Sequence, residues 1–331
     1  MPFLPLTYGA APHGAVSLHV LVTGVQTDPL SLLADLLELV ALGLYLAGVH
    51  RLAQRGRRWS PWSTTACVSG IAVLWIAVGS GFAAYDSVNV TMHVIQHVLI
   101  MMLAPPLIAL GKPVTLISQA VGRNNQVRVL RVVHSAPLAA LSFPIVGWFL
   151  YYGTMYVYFM TGLYPYSIAH PLFHDATHVW FFSVGYLYWQ PIVGLDPARW
   201  RLSHPMRIGS LFLGMPFEAF LGIGITQLPH PLDKINSLAA THNAGDTFWI
   251  LSMLVTGVWL ATIVLQWFRQ LDRETAREDR RVEASLAENR ARAETLGIHL
   301  PEGCTVPWWR LEELEQRRAQ RPREINPASD G

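Results

Sequence analysis

Two short runs of this 331-residue chain have the residue types and spacing to hold a metal ion: His93-Val-Ile-Gln-His97 and His174-Asp-Ala-Thr-His178. On a helix, an i, i+4 spacing stacks two side chains on one face, about 6 Å apart along the axis. Two rings so placed can converge on one ion, and two such helices face to face supply four imidazole nitrogens. Imidazole suits copper, zinc, iron and nickel, with geometry deciding among them. Gln96 and Asp175 are expected to stand around the four rings and fix their tautomers. The plain alternative is that the histidines are hydrogen-bonded structural groups or a proton relay.

The elements that must position these rings are read from composition. Hydrophobic residues make up 52% of the chain and charged residues 14%, with a mean hydropathy of +0.31. A soluble domain carries about 25% charged residues, so the deficit points to lipid as the solvent. Charge is also unevenly placed: residues 1–268 hold 12 Lys/Arg and 9 Asp/Glu, and residues 269–331 hold 12 and 13. The near-zero balance gives nucleic acid no reason to bind. The two cysteines, Cys67 and Cys304, form no CxxC pair, which argues against thiol redox chemistry and thiolate metal capture.

Roughly 20 apolar residues cross a hydrocarbon core of about 30 Å. Seven stretches qualify, at 31–50, 66–84, 90–110, 136–160, 171–193, 206–228 and 247–268. The expected fold is therefore all-α: a polytopic membrane protein with seven transmembrane helices. For the fifth stretch, interrupted by His174, Asp175 and His178, the alternative is a re-entrant or interfacial helix. The loops after the first, third and fifth stretches hold Arg51, Arg55, Arg57, Arg58, Lys112, Arg123, Arg128, Arg131, Arg199, Arg201 and Arg207. Only Lys234 stands on the other side. Positive charge stays in the cytoplasm, so the N-terminus is expected outside and the tail inside. The domains expected are an exported segment at 1–29, a membrane domain at 30–268 and a cytoplasmic tail at 269–331. The first 29 residues contain no Lys or Arg and read as a short exported N-terminus, not a cleavable signal. A retinal protein would need a lysine in the last helix, and 247–268 has none.

Ionisable side chains within a bilayer are costly and mark function. In this topology His93, His97, His174 and His178 all lie within the outer part of their helices, with Asp35 and Glu38 at similar depth and Asp246 at the outer mouth of the last helix. Glu218, in Met215-Pro-Phe-Glu218, sits deeper, beside a proline whose freed backbone groups need partners. Glu218 and Asp246 join Gln96 and Asp175 as candidates for groups around the metal. His13, His19, His170, His230 and His242 share the outer side and read as interfacial or loop residues. His50, His134 and His204 lie toward the cytoplasm. Met92, Met155, Met160 and Met215 read as packing groups.

The run Met92-His93-Val-Ile-Gln96-His97-Val-Leu, continuing to Ala104-Pro105-Pro106-Leu and Gly111-Lys-Pro113, resembles the third-helix signature of the CtaG family of cytochrome c oxidase assembly proteins. His174-Asp-Ala-Thr-His178 with Gly185-Tyr-Leu-Tyr-Trp189-Gln-Pro191-Ile-Val-Gly194 resembles its fifth-helix segment. Asp196-Pro197, Pro216 and Phe220-Leu-Gly222 fit as well, and the resemblance covers about residues 30–268. It departs at Thr177, where an acid is expected, and at Asp246-Thr-Phe-Trp249, which lacks a Gly-rich start. The resemblance implies a non-enzymatic factor of the bacterial cytoplasmic membrane that matures a haem–copper oxidase. Copper is then the expected cargo, at His93, His97, His174 and His178. An oxidase subunit in the same bilayer is the expected partner, with other copper chaperones beside it. Two further readings compete. One is a b-type cytochrome with haem on the histidines. The other is a metal or proton transporter, suggested by Pro105-Pro106 and Pro216 within helices.

Beyond residue 269 acids and bases alternate, as in Asp272-Arg-Glu-Thr-Ala-Arg277, which supports a solvated helix extending the last span. Pro307-Trp308-Trp309-Arg-Leu-Glu-Glu-Leu-Glu has one apolar side for a headgroup layer or a partner. Asn326–Gly331 reads as disordered.

Overall fold

The structure, a computed structural model, describes residues 4–6, 16–301 and 303–320. His13 and the run Asn326–Gly331 lie outside the described residues. The chain is mostly helical, at 78%, and divides into two compact units, Met1–Val264 and Leu265–Gly331.

The first unit opens with strand Leu4–Leu6 (β1), helix Leu18–Thr23 (α1) and strand Gly24–Gln26 (β2). The two strands pair in parallel, Leu4 opposite Gly24 and Leu6 opposite Gln26, a small sheet that the all-α expectation did not include. Helices Pro29–Gln54 (α2) and Pro61–Val78 (α3) follow. A 3₁₀ turn at Ala83–Tyr85 leads into Val90–Val98 (α4), a π turn at Leu99–Leu103 and Ala104–Leu110 (α5). Next come Pro113–Ala120 (α6), Arg123–Val133 (α7), Ala136–Leu141 (α8), Pro144–Met160 (α9), Leu163–Ala169 (α10), Pro171–Val193 (α11), His204–Thr226 (α12) and Leu238–Thr295 (α13).

Local chemistry sets most of these boundaries. Asp28 caps α2 by accepting from the Ser31 amide at 3.0 Å, with Pro29 in the first turn, and Asn89 caps α4 through the Met92 amide at 3.1 Å. Gly194, at φ 66°, ends α11 in the left-handed region. The expected span 136–160 is corrected here: it is broken into α8 and α9, because Pro144 has no N–H to continue the helix and holds Phe143 extended. The second span starts at Pro61, earlier than its expected edge, and stops at Val78 before Gly79.

Five stretches among the described residues are long and apolar enough to cross a membrane: Pro29–Gln54, Pro61–Val78, Val90–Ala120, His204–Thr226 and Leu238–Thr295. The α9 helix, at 17 residues, and α11, with its polar first half, fall outside that set. The core is aromatic and thioether-rich, built on Met101, Met102, Tyr151, Phe181, Trp189 and Phe248. Met92 and Met155 are buried packing groups.

The turn that matters most to the site is Leu99–Leu103. Pro105 and Pro106 cannot donate to carbonyls four residues back, and the π turn absorbs the mismatch. Both α3 and α11 pack on this stretch. Gly185 of α11 lies so near that a Cβ there would stand 2.6 Å from the Met101 carbonyl oxygen, so the approach requires glycine.

In the second unit, the end of α13 pairs with Trp308–Gln320 (α14). Asn289 exchanges two hydrogen bonds with the Val306 backbone, at 2.8 and 3.1 Å. Arg292 donates twice to the Glu315 carboxylate, at 3.0 and 2.8 Å. Leu311 and Ala293 are fully buried there, so the apolar side of α14 is used within the unit, while Trp308 and Trp309 stay exposed.

Candidate metal centre

The four motif histidines meet. On α4, the His93 and His97 rings meet edge to face with centroids 4.4 Å apart, and on α11 His174 and His178 do the same at 4.4 Å. Across the two helices, His93 faces His174 at 5.2 Å and His97 faces His178 at 5.8 Å. All four are buried. Phe181 packs on the His97 ring at 4.2 Å.

A fifth group joins them. Asp86, in the turn before α4, is 3% exposed, and its Oδ2 stands 3.9 Å from His174 Nε2. One donor atom each from Asp86, His174 and His178 fall within 4.8 Å of one another. Gln96 holds this carboxylate in place: its amide donates to Asp86 Oδ2 at 3.0 Å and to the Ala77 carbonyl at 2.9 Å. Burial pushes the Asp86 carboxyl up to about 7, against the pull of that amide. Sequence reasoning missed Asp86 because it weighed acids by depth inside the spans, and Asp86 lies between two of them. Its signal was seven-residue proximity to His93 in a connection with no other acid.

Hydrogen bonding fixes one tautomer. His93 Nδ1 lies 3.0 Å from the Asp86 backbone carbonyl, which can only accept, so Nδ1 carries the proton and Nε2 keeps a lone pair. That lone pair points at His97 Nε2, 2.7 Å away, and at the Tyr158 hydroxyl, 3.0 Å away. Tyr158, a second residue that spacing alone did not suggest, is anchored by Ser167 at 2.7 Å. Meanwhile His97 Nδ1, His178 Nε2 and Asp86 Oδ1 are buried with no hydrogen-bond partner among the described residues. Leaving a buried polar group unpaired costs about 1–3 kcal/mol, and folds rarely gather several in one place. The structure brings donor atoms of Asp86, His174 and His178 within 4.8 Å of one another, with the His93 and His97 rings beside them, and imidazole nitrogens with one carboxylate are a donor set that suits a first-row transition metal. The residues fit such an ion.

Of the other expected groups, Asp175 interacts electrostatically with His174, and Glu218 and Asp246 are elsewhere. Asp175 is half-buried on α11, one residue round the helix from His174, and faces a groove beside α2. Glu218 accepts from Thr256 at 2.9 Å in a pocket with Tyr151, Tyr152 and Phe248, and Asp246 is exposed and accepts from Thr226 at 3.2 Å. Neither joins the histidines. His170 stacks on Tyr166, His242 meets the Leu228 carbonyl, and His19 meets Thr23.

Described residues before α2 pack at this end of the bundle. Leu6 and Val20 pack with Ala84, Tyr85 and Met92, and the Ser17 amide donates to the Tyr85 hydroxyl at 2.9 Å.

Comparison with known sequences gives the decisive observation. The family described as "Cytochrome c oxidase caa3 assembly factor (Caa3_CtaG)" matches residues 43–270. The chain belongs to the Caa3_CtaG family. Uncharacterized proteins of Mycobacterium bovis and Mycobacterium tuberculosis are each 32% identical to it over 272 residues, covering 77% of this chain and 41% of theirs. An uncharacterized protein of Mycobacterium leprae is 29% identical over 269 residues, covering 76% and 41%. This Caa3_CtaG chain thus spans about two fifths of the length of the curated relatives it matches. No solved structure matches it. The matched region contains both histidine motifs, Asp86 and Gln96.

Proposed function

We propose that this protein is a copper-handling assembly factor for a haem–copper cytochrome c oxidase, carrying its ion on His93, His97, His174 and His178 with Asp86. The observation that carries the reading is the gathering of four imidazoles and a carboxylate, three of whose buried donor atoms have no other partner. Copper is the cargo, so the site must release as well as bind. A set of neutral imidazoles with one carboxylate suits that better than a closed thiolate cage. The receiver is an oxidase subunit in the same bilayer, with other copper chaperones as suppliers, and the role is one of delivery, without catalysis.

The proposed setting is the bacterial cytoplasmic membrane, crossed seven times with the N-terminus outside and the α13–α14 tail in the cytoplasm. Two crossings are added to the five long apolar helices. The polar face of α11 is turned inward, leaving Leu172, Val179 and Trp180 exposed, and α9 exposes Ile145, Phe149 and Val157. A helix whose outward face is apolar can cross lipid even when its mean hydropathy is modest. Eleven basic residues against one on the two sets of loops support the orientation. In it the histidine site lies toward the exported face.

The test is copper retained by the purified protein. The His97→Ala and His178→Ala variants are expected to lose bound copper while keeping the wild-type helical content. Unchanged stoichiometry in both variants removes these residues as ligands.

A further inference from the structure

A groove of about 770 Å³ runs between α2, α3 and α11, walled mostly by leucine, isoleucine and alanine side chains. Ionisable side chains also line it. Asp28 stands at the start of α2, and Glu38 lies ten residues on, about 15 Å further along the helix. Asp175, Asp86 and His178 line it too. Asp86 and His178 are 3% and 8% exposed, so the groove reaches the inner wall of the metal centre. Each of these two carries a buried atom without a hydrogen-bond partner, Asp86 Oδ1 and His178 Nε2, and so does Glu38, at Oε2.

Two features make this more than a gap between helices. An apolar groove facing lipid gains nothing from carboxylates, which are expensive at such a position unless something pairs with them. The four acids also line one groove that starts beside the cap of α2 and reaches the histidine centre. Among the described residues, no Lys or Arg lines it. Elsewhere the histidines are closed in: Phe181 and Tyr158 pack on them from the bundle side, and Leu6, Val20 and Met92 pack at their end.

We propose that this groove is the route by which the metal cation reaches and leaves the histidine centre, with Glu38 as the carboxylate that holds it in transit. The inference rests on the copper reading of the centre and adds a path and a residue to it. Oxygen donors bind a first-row cation less tightly than a set of imidazoles does, which is what a transit position requires. Charge along a low-dielectric cleft concentrates cations and raises the rate of capture by 10-fold or more.

The experiment follows Cu(II) loading of the metal-free full-length protein in nanodiscs, by quenching of tryptophan fluorescence, with the end point read by metal analysis. Glu38→Gln is expected to slow loading about 10-fold with the same copper content at the end. Ala34→Phe, which fills the groove without touching a carboxylate, is expected to slow it as well. Wild-type loading rates in both variants overturn the route, and so does a lower end-point content in Glu38→Gln, which would make Glu38 a ligand. The failure of the copper reading is separate: His97→Ala and His178→Ala would then load to the wild-type end point, whatever the groove variants do.

Discussion

Asp86 and Asp196 are both buried carboxylates beside helix starts, and the fold treats them in opposite ways. Asp196, in the turn after α11, has every oxygen in use. It accepts from the Val114 amide at 3.1 Å, the Thr115 amide at 2.9 Å and the Thr115 hydroxyl at 2.6 Å, closing the first turn of α6. Burial raises its carboxyl above the usual range, and the Thr115 bonds oppose the rise. Asp86 has one oxygen on Gln96 and the other without a partner among the described residues, like His97 Nδ1 and His178 Nε2. The first arrangement holds two segments together and leaves no capacity. The second leaves an oxygen without a partner among the described residues, which is what the proposed function requires of a ligand. Burial and charge are alike at the two positions; satisfaction of the hydrogen-bonding groups separates structure from function.

That contrast can be broken by substitution. The largest effect is expected from Asp86→Asn, which keeps shape and the Gln96 contact but removes the charge: copper affinity falls about 100-fold, with little change in unfolding. Equilibrium copper competition against a chelator measures the first, and thermal unfolding in detergent the second. A variant that unfolds readily yet keeps its copper would reverse the assignment.

Asp196→Ala should behave in the other sense. Losing three hydrogen bonds and a helix cap is expected to lower stability by about 2 kcal/mol, with copper content unchanged. The smallest effect is expected from Tyr158→Phe. It preserves the ring, which lies nearly parallel to His93 with a 4° interplanar angle, and deletes only the hydroxyl. Copper affinity should fall by less than 10-fold. A loss as large as that of Asp86→Asn would make Tyr158 a member of the centre and blur the comparison.

The chain itself determined a good deal. Helical periodicity places residues four apart on one face whatever surrounds them, so each histidine pair was legible before any fold was known. Of the helices that start on a proline, whose ring fixes φ and removes a donor that the first turn does not use, the one at Pro171 began where the chain's apolar pattern placed it, whereas the starts at Pro61 and Pro113 were not read from the sequence. Long apolar runs reported lipid as the solvent, and the motifs around His93 and His174 reported the family. Tertiary structure alone decided which pairs face each other, and with what company. The π turn before Pro105 and the contact of Gly185 with the Met101 carbonyl set how α11 lies against α4. Only that packing brings Asp86 and Tyr158 to the four rings and leaves Glu218 and Asp246 with partners of their own. Spacing along one helix is a local property of the backbone, whereas the meeting of side chains from different helices depends on how close their backbones can come, and no single segment carries that information.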